Sequence, residues 1–144
     1  MTHSSNAKNT PGYPVPVVRL IVPDTDGHVL VVRRRGGGYA PGDWCLPGGK
    51  VDYGDTVERT VAKELTEETA LKCTSAEFLF FQDSLPLAPG QMHCINLYFR
   101  CAAQGKIVLN PESSEHAWIG PDDLDHYALA FRNDEGLQRY WSES

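Results

Sequence analysis

Apolar and polar positions along the chain change period several times, and each change marks an element. VPVVRLIVPD at 15–24 and VLVVRRR at 29–35 are dense in β-branched residues, and TDGH between them carries an Asp-Gly turn signal. That pattern predicts two strands joined as a hairpin. GGGYAPGDW at 36–44 is a Gly/Pro loop, and CLPGGKV leads through a short apolar step into a second glycine turn. From Asp55 the period becomes helical. Val57, Val61 and Leu65 recur every four residues with Ala62 alongside, which predicts one apolar helix stripe. Two aromatic-rich runs, 76–85 and 93–103, read as strands linked by PLAPGQ. KIVLNPESSEHAWI at 106–119 reads as a short strand, a polar loop and an apolar pair. GPDDLDHY has a Pro at a first helical position followed by two acids, a helix-start signal, and 133–144 reads as a short final helix. The order predicts a mixed α/β or α+β domain with one dominant helix, spanning 14–144 after a flexible tail at 1–13.

Composition narrows the partners. A length of 144 residues with 41% hydrophobic content suits one domain that buries a core without staples. The net charge of -6 argues against a nucleic-acid polymer or an anionic membrane surface as partner, since both call for a basic footprint. No apolar run approaches the roughly 20 residues that span a bilayer, and MTHSSNAKNTPGYP lacks the apolar centre of a secretory signal. Cys45, Cys73, Cys94 and Cys101 form no CxxC pair and sit beside apolar residues, as reduced structural thiols do. A cytoplasmic location is the default expectation.

Glu64, Glu67 and Glu68 crowd the end of the predicted helix, where like charges at i,i+4 repel and carboxylates oppose the macrodipole. At 100° per residue Glu64 and Glu68 share a face, flanking the 57/61/65 stripe, with Glu67 beside both. A hard divalent cation turns such repulsion into coordination and still leaves room for substrate phosphates. A solvated acidic face is the alternative reading. The glycine turn upstream strengthens the first, because a Gly-rich loop entering a helix presents backbone N–H groups to phosphate.

GGKVDYGDTVERTVAKELTEETAL at 48–71 resembles the signature box of the Nudix (MutT-like) hydrolases: Gly, five residues, Glu, seven residues, then Arg-Glu-U-x-Glu-Glu-x-Gly-U, with U a bulky aliphatic. Gly49, Glu64, Leu65, Glu67, Glu68 and Leu71 match six of its nine fixed positions at unbroken spacing, and Asp55, Lys63 and Ala70 depart from it. The resemblance implies an α/β/α sandwich around a mixed sheet, with the box as a loop–helix–loop. It also implies hydrolysis of a nucleoside diphosphate linked to another moiety, by water attack at phosphorus with Mg2+ or Mn2+. Glu64 and Glu68 would be the principal metal ligands, supplemented by Glu67, with a backbone carbonyl from the Gly48–Gly49 region. Homodimers are common in that family.

For the general base, the resemblance points to a glutamate on a late loop or to a box glutamate such as Glu67. Glu115 is favoured here over Glu112, with His116 as a third option. Arg33 and Arg35, on one face of the second strand, are candidates for substrate phosphate. Tyr39, Trp44, Phe81 and Tyr98 could stack on a base, although core packing is their default. Lys63 stands where the family has an Arg that orients the box glutamates, and it lacks the bidentate fork. Ala70 replaces the glycine of the helix exit at a cost of about 1 kcal/mol if the left-handed geometry is kept. A catalytically weak domain that binds a nucleotide as a sensor is the second functional reading. An isoprenoid diphosphate isomerase rests on Cys45 alone.

Overall fold

The computed structural model describes residues 12–36 and 42–143, so the expected tail and Tyr39 fall largely or wholly outside it. Seven strands run in chain order: β1 (Val15–Ile21), β2 (Val29–Arg34), β3 (Trp44–Cys45), β4 (Gly48–Lys50), β5 (Lys72–Ser84), β6 (Cys94–Gln104) and β7 (Ser113–Ile119). Helix α1 (Val57–Thr69) follows β4, a 3-10 helix (Pro121–His126) follows β7, and α2 (Asn133–Glu143) closes the chain. The strands form two sheets, ordered β4-β1-β6-β5 and β3-β2-β7. The first is mixed, because β1 runs parallel to β6 while the β1–β4 and β5–β6 pairs are antiparallel.

Helix α1 starts at Thr56, whose side chain accepts the Arg59 N–H at 3.1 Å. It buries Val61 and Leu65 against Val18 and Leu20 of β1 and Phe99 of β6. Removing the Leu65 side chain would cost about 2–5 kcal/mol. Ala62, expected beside this stripe, is exposed; Thr60 and Thr69 are the buried neighbours instead, and the Thr69 hydroxyl donates to the Leu65 carbonyl at 2.7 Å. A second core lies between the sheets and α2, where Ile21, Val29, Val31, Tyr98, Ile119 and Leu137 pack together.

Two expected features differ. β1 and β2 do not form a hairpin. They pair only beside the turn, where Pro23 bridges Val29 and the Leu30 N–H reaches the Val22 carbonyl at 3.1 Å, then part into separate sheets. Burying apolar side chains on both faces of each strand outweighs continued local pairing. The expected strand at KIVL is also absent. There the Val108 and Asn110 amides donate to the Thr69 and Glu68 carbonyls, at 2.9 and 3.4 Å, satisfying the end of α1. The strand lies instead in the polar stretch Ser113–Ile119, paired with β2. Among the described residues no helix is long and apolar enough to cross a membrane.

Candidate active site

β4 brings the glycine turn against β1, with Gly48 opposite Arg19 and Gly49 opposite Val18. Neither position has room for a side chain. A Cβ on Gly48 would collide with the Val18 carbonyl oxygen, and one on Gly49 with the Glu64 carboxylate. The Gly48 N–H donates to Glu68 Oε2 at 3.2 Å. The two glycines are therefore the surface on which the helix rests its two inward glutamates.

Position within α1 separates the three acids. Glu64 and Glu68 are half-buried and Glu67 is exposed. Burial, then a hydrogen bond and repulsion from Glu67, push the Glu64 carboxyl up to about 7. Burial, then the charge of Glu64, push Glu68 up to about 8, with Glu112 adding to the rise while the Gly48 amide and Arg19 oppose it. Two carboxyls held above their ordinary range beside an exposed third are short of positive charge. An oxygen-ligated divalent cation suits that donor set, and the close seat of Glu64 on the Gly49 backbone brings carboxylate and main chain to one place.

The departures from the box occupy supporting positions. Lys63 Nζ lies 3.2 Å from Asp52 Oδ2 and 3.5 Å from Asp55 Oδ2, and its pKa is raised, first by the hydrogen bond to Asp52. Ala70 ends the helix at φ 64° and ψ 3°, with its N–H on the Thr66 carbonyl at 2.9 Å, so the left-handed exit is kept without glycine.

Of the loop candidates, Glu115 faces Arg33 across the β2–β7 pair and ion-pairs with it at 3.0 Å. Arg33 also donates to the Gly42 carbonyl at 3.0 Å. Arg35 donates to the Pro111 and Ser113 carbonyls at 2.8 and 3.2 Å, and its amide to the Glu112 carbonyl at 2.9 Å. Both arginines named in the sequence thus brace the 111–115 segment, and the register shift between Arg33 and Arg34 breaks their simple alternation. Glu112 is the residue of that segment whose charge reaches both Glu64 and Glu68. His116 is exposed, paired in register with Val32. Trp44 packs edge-on to Tyr127 at 5.0 Å, Tyr98 is wholly buried, and Phe81 is exposed on β5.

Two features had no local signal in the sequence. Arg19, inside an apolar strand, is buried beside Gly48 and donates to Asn96, 77 residues away, at 3.0 Å. Asp24, Asp26 and His28 bring ligand atoms within 4.8 Å of one another. There Asp24 accepts the Asp26 and His28 amides, each at 2.9 Å, which closes the β1–β2 turn.

Comparison with known proteins agrees with this arrangement. The model of the NUDIX domain matches residues 13–140. Nucleoside triphosphatase NudI of Escherichia coli O139:H28 is 33% identical over 101 residues, which are 64% of this chain and 72% of the relative. A MutT protein from Methanosarcina mazei Go1 superposes with a TM-score of 0.80 at 21% identity, covering 93% of this chain and 96% of its own. The NUDIX domain of Shewanella oneidensis NrtR, complexed with ADP ribose, gives 0.73 at 20% identity and 99% coverage of both chains. A MutT NUDIX hydrolase from Burkholderia pseudomallei gives 0.68 at 27% identity, over 76% of this chain and 85% of its own. With the glycine turn, the glutamate helix and nearly the whole chain matched, this protein belongs to the Nudix hydrolases, enzymes that act on phosphoanhydrides and generally use a divalent metal.

Proposed function

We propose that the chain hydrolyses a nucleoside diphosphate linked to another moiety, a further phosphate included, with Mg2+ or Mn2+ held by Glu64 and Glu68, aided by Glu67 and the Gly49 carbonyl. The observation that carries this reading is the seat of Glu64 and Glu68 on the Gly48–Gly49 backbone, with both carboxyls shifted upward. The name of the E. coli relative, a nucleoside triphosphatase, supports a triphosphate as the first substrate to try. A bound cation would supply neutralisation of the phosphoryl oxygens. Water attacks phosphorus, the anhydride P–O bond breaks, and the leaving phosphate carries away the electron pair. Glu112 is placed to take the proton of the attacking water, since its charge reaches both inward glutamates while Glu115 is held by Arg33. Arg33 and Arg35 keep that segment in place, and Lys63 positions the 52–55 loop beneath the helix. The intact glutamate set favours turnover over the sensor reading. Burial of most thiols fits a reducing cytoplasm.

The test is a panel of nucleoside triphosphates, NDP-sugars, ADP-ribose and dinucleoside polyphosphates with Mg2+ or Mn2+, read by product identity. Turnover of a panel member that disappears in Glu68→Gln is expected. Undiminished turnover in that variant would remove the metal-ligand assignment. Glu112→Gln should lower kcat about 10²-fold or more, and Glu115→Gln much less; the reverse order would return the base to Glu115.

A further inference from the structure

On the face of β1 that looks between the two sheets, the apolar layer gives way abruptly to a cation. Ile21 packs in the inter-sheet core, but Arg19, two residues earlier on the same face, is only 6% exposed. Among the described residues no carboxylate lies within ion-pair distance of its guanidinium. Burial accordingly lowers its pKa, with only the more distant charge of Glu68 and weak thiol and phenol groups in opposition. Leaving a guanidinium in that state is costly unless something else completes it.

Its surroundings hold it in one orientation. Asn96 Oδ1 accepts from Arg19 Nε at 3.0 Å, and Asn96 cannot turn away, because its Nδ2 donates to Gln82 Oε1 at 2.9 Å and to the Phe131 carbonyl at 3.0 Å. The Phe131 ring covers the guanidinium at 4.3 Å. That contact uses the face of the group, whereas guanidinium hydrogen bonds lie in its plane, so the terminal N–H groups stay available. Phe131 and Arg132 hold φ values of 60° and 59°, in the left-handed region that non-glycine residues seldom occupy. The Phe131 and Arg132 carbonyls bind Asn96 and Gln82, the latter at 3.1 Å, so the same amide pair that fixes Arg19 also fixes its aromatic cover. Such strain persists where the surrounding structure over-determines it, and it clusters at ligand sites.

The cluster adjoins the glutamates. Arg19 pairs in register with Gly48, whose N–H holds Glu68, so one residue of β4 separates the phosphate-cleaving side from the guanidinium. We propose that Arg19 is a specificity-determining residue that donates to a carbonyl oxygen of the substrate's nucleobase, favouring bases that carry such an oxygen over adenine, which has none. This rests on the nucleotide-hydrolase reading above. A neutral carbonyl fits better than a phosphate here: Asn96, Tyr98 and Phe131 offer no further positive charge, and Glu68 lies close enough to repel an anion.

Binding of GMP, UMP, CMP and AMP without divalent ion, followed by calorimetry or chemical-shift titration, tests this apart from catalysis. The three carbonyl-bearing nucleotides should bind about tenfold tighter than AMP, and Arg19→Met should bring all four within about threefold. If Arg19→Met fails to fold, Arg19→Lys keeps the charge and loses the fork, and the same collapse is expected. AMP binding as tightly as the others, no binding of any of the four at millimolar concentration, or a preference that survives in a folded variant would overturn the proposal. A protein that keeps the preference but hydrolyses nothing would instead refute the catalytic reading alone.

Discussion

Lys63 and Asp55 meet. The Nζ–Oδ2 distance is 3.5 Å, with Asp52 at 3.2 Å on the other side. The family's usual residues at these two positions are Arg and Glu, so both members of a contact have changed while its sense is retained. The pair ties the loop before α1 to the helix that carries Glu64, and Lys63 does not itself contact the inward carboxylates. Lys63→Ala and Asp55→Ala should each lower kcat by several-fold, with the double variant little worse than the poorer single one. Independent, multiplying effects in that cycle would show that the contact is not what matters.

Gly49→Ala should leave the fold intact and damage the site. The added methyl meets the far end of the flexible Glu64 side chain, which can swing away. Displacing a metal-binding carboxylate by about an ångström is expected to cost on the order of 10²-fold in kcat/KM, with a melting curve close to the parent's. Gly48→Ala differs, because its methyl meets the Val18 backbone carbonyl, which has nowhere to go. That variant should lose stability as well as activity, by loosening the β1–β4 pairing.

Stability should depend on pH in opposite senses with and without metal. Glu64 and Glu68 hold their protons in the fold up to about 7 and about 8, whereas the unfolded chain releases them near 4.5. Between those values the native state binds more protons than the unfolded one, so stability falls as pH rises through the window. In EDTA the protein should melt lower at pH 8.5 than at pH 6. Mg2+ should raise the melting temperature more at pH 8.5, where the carboxyls are already ionised. An EDTA melting temperature that rises across this range would contradict the burial of the two acids.

Ala70→Gly should stabilise the protein. Ala70 already has φ 64°, so glycine relieves a left-handed conformation without moving the chain. Relief of about 1–2 kcal/mol, less about 0.4–1 kcal/mol for the freer unfolded chain, leaves roughly 0.5–1 kcal/mol. Urea denaturation at constant m-value measures it; a loss of stability would mean that Ala70 makes a contact which the extra freedom does not offset.

Much of this arrangement is legible from the chain because it is local. Val57, Val61 and Leu65 announce α1 by period, and the spacing from Gly49 to Glu68 carries the box. What stayed hidden depends on partners distant in sequence. The Asp-Gly turn specifies a reversal and nothing about which sheet each strand joins, so β1 and β2 look like a hairpin. β7 reads as a polar loop because its Ser114, Glu115 and His116 are all exposed, and only β2 beside it makes it a strand. The choice between Glu112 and Glu115 turned on Arg33, a residue 82 positions before Glu115. Arg19 looked like one polar interruption in an apolar run.

The thiols give the molecule an internal clock. Cys45, Cys94 and Cys101 are buried, and burial pushes each thiol pKa upward, that of Cys101 to about 12, while Cys73 is half-buried. Native protein should therefore react with an alkylating reagent at Cys73 first, and the other three sites should wait for the chain to open. Cys45 stands three residues before Gly48, on the strand leading into the glycine turn, and Cys101 lies in the core beneath α1. Their separate labelling rates would time the opening of the site apart from the loss of the whole fold.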